Sequence, residues 1–275
     1  MQNGNTQLKR AEFIRVPLRL GDDVFSQKYI GPAKEDQLLK TIQSFALLME
    51  VHHVSHYRAC ATSAMRDSTN GREVVERIEK ETGIHIEIID GNLESKLILE
   101  SVMDFFPKDG DFLNIDVGGG STEVTVIHDR EPVYSQSFNI GTVRLLYGNV
   151  ADEEWDKMHS WVVSNSKNLK SLMAVGTGGN INKALRMLGM GDRESASFEK
   201  LKSLSNMIKD HTMKERIYKL KLNPDRADVI EPALKIYLSI MKWAGIKKIY
   251  APNVGLKDGI IKELVDEFVT DKAVL

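Results

Sequence analysis

The chain has 275 residues, enough for one large domain or two of medium size, with a formal charge of −2 that argues against a nucleic-acid coat. Its single cysteine, Cys60, excludes an internal disulfide and fits a reducing compartment, where it reads as a small buried residue. No run is long and apolar enough to cross a bilayer, and the first ten residues lack the apolar centre of a signal peptide, so the expected location is cytoplasmic, with no membrane and no nucleic-acid partner.

In chain order, Asn3-Gly4-Asn5 is a turn signal, and residues 8–20 carry Phe13, Ile14, Val16 and Leu18 in a strand-like pattern. Helical spacing over 35–51 predicts a helix, 54–61 a short strand, and 71–82 a second helix that Asn70 caps and Gly83 stops. A strand over 85–89 and a helix over 93–106 follow, and then Pro107-Lys108-Asp109-Gly110-Asp111, the best linker in the sequence. Residues 112–127, FLNIDVGGGSTEVTVI, read as strand, tight glycine turn, strand. Further strands are expected over 132–139, 171–175 and 248–251, and helices over 152–168, 180–188, 198–209, 213–220, 228–244 and 255–268. The order is β-β-β-α-β-α-β-α after the linker and β-α-β-α-β-α before it, a mixed α/β pattern in two similar halves.

The stretch 112–127 carries the chemistry. Glycines let a backbone take positive φ and admit a ligand closely, and successive N–H groups in such a turn cradle an anion. An acid beside such a turn makes sense when a divalent cation lies between it and a phosphate. Asp116 and Glu123 flank the turn and are candidates for metal or water binding, while Gly118, Gly119, Gly120, Ser121 and Thr122 are candidate phosphate ligands. GGG alone reads as an ordinary hairpin turn, Asp116 alone as a strand-end acid, and Glu123 alone as a solvent-facing residue. Gly176-Thr177-Gly178-Gly179 lies between a strand and a helix, which suits either an anion site or close strand–helix packing. Arg66, just after a strand, could grip phosphate with two parallel hydrogen bonds or form a surface ion pair. Arg15 and Arg19 read first as a solvated strand face. His52, His53 and His56 lack a ligand spacing, and no metal is assigned to them.

Together, DVGGGSTE, ATSAMRDSTNG at 61–71, GTGG at 176–179, PDRADVI at 224–230 and NVGLKDG at 253–259 resemble the exopolyphosphatase and guanosine pentaphosphate phosphatase family, in the family's order. The resemblance implies the α/β fold shared with sugar kinases, actin and heat-shock chaperones: two ribonuclease H-like lobes with mixed sheets and a cleft between them. On that view lobe I is 1–109 and lobe II 110–275, the final helix packing back on lobe I. The length matches the short, two-domain branch. The family's opening DxGSN-type loop is absent, so lobe I is expected to lack its first two strands, by truncation or by true loss.

The resemblance also implies roles. Glu94, in Leu93-Glu94-Ser95, falls where the family has its general base, although by itself it reads as a helix-start acid near the dipole. Lys257 stands where the family usually has arginine and would meet phosphate as a point charge. The implied activity is Mg2+-dependent release of terminal phosphate from inorganic polyphosphate or guanosine pentaphosphate; a homodimer is consistent with it. The alternatives are a non-catalytic phosphate-binding module using the lobe II loop alone and, further off, a kinase of the same superfold.

Overall fold

The computed structural model describes residues 11–105, 110–167, 169, 172–191 and 194–270. Residues 11–19 have no regular structure. They lead into α1 (Leu20–Gln27), α2 (Pro32–Val51), β1 (Ala59–Ala61), α3 (Ser63–Asp67), α4 (Gly71–Thr82), β2 (Ile86–Ile88) and α5 (Gly91–Val102), which a 3-10 turn extends through Met103–Phe105. A meander follows, β3 (Asp111–Val117), β4 (Thr122–His128) and β5 (Glu131–Phe138), then α6 (Thr142–Leu146), α7 (Asp152–Ser166), β6 (Met173–Thr177), α8 (Gly179–Met187) and β7 (Ser195–Ser197). The rest is α9 (Phe198–Lys209), α10 (Met213–Tyr218), α11 (Pro224–Ala227), α12 (Ile230–Trp243), β8 (Lys248–Tyr250) and α13 (Leu256–Thr270).

Two sheets result. β1 and β2 pair in parallel, and a six-stranded mixed sheet has the order β5-β4-β3-β6-β8-β7. Within it β3, β4 and β5 are antiparallel, β6 and β8 continue in parallel from β3, and β7 returns antiparallel. Side chains alternate across β3 because successive Cβ atoms face opposite sides of a strand. Leu113, Ile115 and Val117 enter the large core with Val124, Val126, Ile181 and Tyr237. Helix α12 is buried on most sides in that core, as its apolar sequence requires. Phe112 lies on the other face, in a small cluster with Leu99 and Val102 of α5 and Val175 of β6. A third cluster, with Val24, Phe25, Leu38, Met65 and Ile78, holds the first part together.

Helix α5 is therefore sandwiched. It covers the lobe II sheet on one side and receives α13 on the other, where Gly259 lies against the Leu97 backbone. Glu263 of α13 pairs with Arg58 at 2.5 Å and Lys96 at 2.9 Å.

The expected strand over 8–20 does not form where it is described: 11–19 is irregular and Leu20 already begins α1. A strand needs a partner for its backbone groups. Among the described residues β1 and β2 pair only with each other, and the segment is anchored by side chains instead. Arg15 bonds Asp225, Arg19 pairs with Asp228 at 2.7 Å, and Phe13, Ile14 and Val16 stay exposed. The turn at Asn3-Gly4-Asn5 and the linker residues Pro107, Lys108 and Asp109 lie outside the described residues. Asn70 does not cap α4 through its side chain. It is buried and clamps Ile30, accepting from its N–H at 2.9 Å and donating to its C=O at 3.0 Å.

Candidate active site

The site is built on one row across the sheet. Cross-strand register sets Ser137, Glu123, Asp116 and Thr177 side by side on β5, β4, β3 and β6. The outer hydroxyls hold the inner carboxylates: Ser137 donates to Glu123 Oε1 at 2.8 Å, and Thr177 donates to Asp116 Oδ1. Tyr237, wholly buried, fixes Thr177 by donating to its carbonyl oxygen. Glu94 comes down on this row from the first turn of α5, whose start is fixed by Asp90 accepting from the Leu93 N–H at 2.8 Å.

The three acids have little positive charge to meet. Burial, then repulsion from Glu123 and Asp116, pushes the Glu94 carboxyl up to about 8, opposed by Arg66. Burial and Asp116 push Glu123 up to about 7 against hydrogen bonds from Ser121 and Ser137. Burial raises Asp116 as well, with the Thr177 bond opposing. Glu94 Oε2 is buried without a hydrogen-bond partner, and Arg66 Nη1 stands 3.6 Å away. Arg66 is itself held by donating from Nη1 to Ile89 C=O at 2.7 Å.

The glycine turn departs from expectation. None of Gly118, Gly119 and Gly120 has positive φ. The turn closes by Gly118 N–H donating to Ser121 C=O at 3.0 Å, and its carbonyls accept from the N–H groups of Thr142, Val143 and Arg144 at the start of α6. Its glycines are there for close approach: a Cβ on Gly120 would meet the Phe25 ring and, at 2.9 Å, Ser63 Oγ. Thr122 is buried and donates to Ile140 C=O at 2.5 Å, so its hydroxyl is committed to the fold. Replacing Gly120 by Ala is expected to lower stability by about 1–3 kcal/mol through overpacking, read as a lower midpoint in chemical denaturation.

Of the second glycine run, Gly176 is packed, a Cβ there meeting Ile249, Ile181 and Tyr237 at 3.0–3.1 Å, and Thr177 orients Asp116. Gly178 has φ +100°, a conformation that L side chains rarely adopt, and a Cβ on it would lie 3.6 Å from Asp116 Oδ1. Gly178 and Gly179 open α8 onto a cavity of about 540 Å³ that Glu94, Asp116 and Lys257 also line. Lys257 Nζ bonds Asp258 and sits 5.9 Å from the Phe13 ring centroid.

Arg226, Asn182 and Arg186 line the same cavity and were not foreseen. The Arg226 guanidinium packs where a Cβ of Gly179 would be. Its signal was its place in PDRADVI, read only as part of a resemblance. For Asn182 and Arg186 the signal was helical spacing from Gly179. Ser137 could be found only from the register of β4 on β5. Among the described residues no group of three or more His, Cys, Asp or Glu is gathered as a set of metal ligands, so Asp116 and Glu123 are a pair.

These elements define a two-lobed α/β protein of the actin-like ATPase fold, with acids and arginines converging on one cavity. The chain belongs to the Ppx/GppA phosphatase family, whose sequence model matches residues 12–268. Exopolyphosphatase 1 of Mycobacterium tuberculosis is 36% identical over 132 residues, covering 48% of this chain and 38% of that protein. The chain thus spans little more than a third of that relative's length. Among solved structures, an exopolyphosphatase from Cytophaga hutchinsonii matches with a TM-score of 0.80 at 24% identity, over 91% of this chain and 88% of that one. The Aquifex aeolicus Ppx/GppA family member matches at 0.72 and 21%, with the same coverages. Both are likenesses of fold. Among the described residues no helix is long and apolar enough to cross a membrane.

Proposed function

We propose that the chain hydrolyses terminal phosphoanhydride bonds, in inorganic polyphosphate or guanosine pentaphosphate, by attack of a water that Glu94 deprotonates. The observation that carries this reading is the placement of Glu94 Oε2, buried and unbonded, over Asp116 and Glu123 and beside Arg66. Family membership supports a phosphohydrolase.

Three buried acids with raised pKa values are the environment a divalent cation relieves. Mg2+ is commonly held by one or two carboxylates together with substrate phosphates and waters, which suits the pair Asp116 and Glu123. Bound there, the ion would neutralise charge on the phosphoryl oxygens. Glu94 Oε2 takes one proton of the attacking water, whose oxygen bonds to the terminal phosphorus as the bridging P–O bond breaks toward the shortened chain. Arg66, tethered to Ile89 C=O, keeps N–H groups for non-bridging oxygens, and Arg226 offers a second fork beside the first N–H groups of α8.

Phosphate release from long-chain polyphosphate with Mg2+ tests the reading; no release, with the protein folded, would sink it. Chelation of the divalent ion is expected to abolish turnover. Arg226→Ala is expected to raise KM about tenfold or more, as loss of a charge-assisted bond does; an unchanged KM would remove Arg226 from substrate binding.

A further inference from the structure

The wall of the cavity formed by α8 changes character along its length. Gly178 lies beside Asp116, and Gly179 opens the helix with Arg226 packed on it. Asn182 and Arg186 follow three and seven residues after Gly179 and line the same cavity. Those spacings keep one helix face. At a rise of about 1.5 Å per residue, Arg186 sits roughly 10 Å along the axis from the Asp116 end. Arg15, from the segment 11–19, lines the cavity too.

Two of these guanidiniums, Arg226 and Arg186, are not neutralised. Arg226 is pushed down by burial and then by repulsion from Arg15 and Arg186, which outweighs Asp225. Asp225 is already bonded to Arg15. Among the described residues Arg186 and Arg226 have no ion-pair partner, and Arg186 Nε only reaches back to Asn182 C=O at 3.2 Å. Side chains of like charge held together without counter-ions raise one another's energy, and an anion with several charges relieves it.

We propose that Arg186, with Asn182 one turn before it and Arg15 from the 11–19 segment, forms a second anion subsite for phosphate groups of the substrate remote from the scissile one. The inference rests on the hydrolytic reading for which bond is scissile. α8 then acts as a ruler. A pyrophosphate seated at Asp116 ends near Gly179 and Arg226, whereas a longer phosphate chain, or a nucleotide with a second phosphate cluster, runs on to Arg186. The ligand chemistry is a multiply charged phosphate group. Its two sources are the inner units of a linear polyphosphate and the 3′-diphosphate of guanosine pentaphosphate.

The test compares Arg186→Glu and Arg186→Lys with the unchanged chain, using pyrophosphate, long-chain polyphosphate and guanosine pentaphosphate with Mg2+. Arg186 is exposed on α8, and far-ultraviolet circular dichroism confirms that each variant is folded. For Arg186→Glu, KM is expected to rise about tenfold or more for a long substrate and to stay as it was for pyrophosphate. Arg186→Lys should recover part of the loss. A loss confined to polyphosphate assigns the subsite to a linear chain; one confined to the nucleotide assigns it to the 3′-diphosphate. An equal loss for pyrophosphate, or none for either long substrate, overturns the proposal. Calorimetric titration of the same ligands into Glu94→Gln and Glu94→Gln/Arg186→Glu reads binding without turnover. Absence of hydrolysis would therefore sink the hydrolytic reading while these titrations still decide the subsite.

Discussion

Glu94→Gln is expected to reduce phosphate release from polyphosphate by about 10²–10⁴-fold, the range a positioned general base contributes. Glutamine keeps the size and shape of the side chain, so α5 and its Asp90 cap stay in place. What it loses is the capacity to take a proton. As the carboxylate, Glu94 Oε2 is an acceptor with nothing bonded to it, held where Arg66 offers charge without a hydrogen bond. A cation on Asp116 and Glu123 would remove two of the causes that hold the Glu94 proton on, so a loaded site would carry the ionised base nearer neutrality than the bare one. The rate should accordingly rise with pH through the Glu94 pKa, and saturating Mg2+ should move that rise to lower pH. Equal phosphate release by the variant and the unchanged chain, in a colorimetric assay, would remove Glu94 from the chemistry.

Much of this site was legible in the sequence because its parts are local. DVGGGSTE reads as strand, turn, strand whatever else the chain does, and Asp116 and Glu123 pair across that hairpin. Gly71–Thr82 and its stop at Gly83, φ +72°, follow from local signals too. What failed depends on partners far away in the chain. The apolar pattern of Phe13, Ile14 and Val16 predicts a strand, but a pattern specifies a face and not a neighbour, and the described part of the segment, 11–19, pairs with none. The three glycines suggest positive φ, yet their smallness is used against Phe25 and the start of α6, which lie 95 residues before and 22 after Gly120. Asn70 sits at a helix start, but Ile30, 40 residues earlier, has the stronger claim on its amide. Arg226 is the same case: an arginine of α11, 47 residues from Gly179, gives no sign in sequence that it packs on that glycine.

The same carboxylates predict an inverted dependence of stability on pH. Most carboxylates in proteins have lowered pKa values and stabilise the fold above them. Here the folded protein raises Glu94 from 4.5 to about 8 and Glu123 from 4.5 to about 7, so between those limits the native state holds protons that the unfolded chain has released. The native state then binds more protons than the unfolded state, and the free energy of unfolding falls as pH rises. Stability from these groups is complete below about pH 4.5, declines through the neutral range, and levels off above about 8. For Glu94 alone, whose side chain is only 13% exposed, the full excursion corresponds to about 5 kcal/mol. Urea denaturation in the presence of a chelator should show the unchanged chain markedly less stable at pH 8 than at pH 5. Glu94→Gln cannot ionise there, so it should lose less over the same interval and exceed the unchanged chain at pH 8 by about 2 kcal/mol or more. Added Mg2+ should close part of that gap by stabilising the ionised acids, which ties the stability defect to the site that uses it. Curves for the two proteins that run parallel from pH 5 to 8 would mean that Glu94 is not held in its neutral form by the fold, and the general-base reading would lose its electrostatic footing.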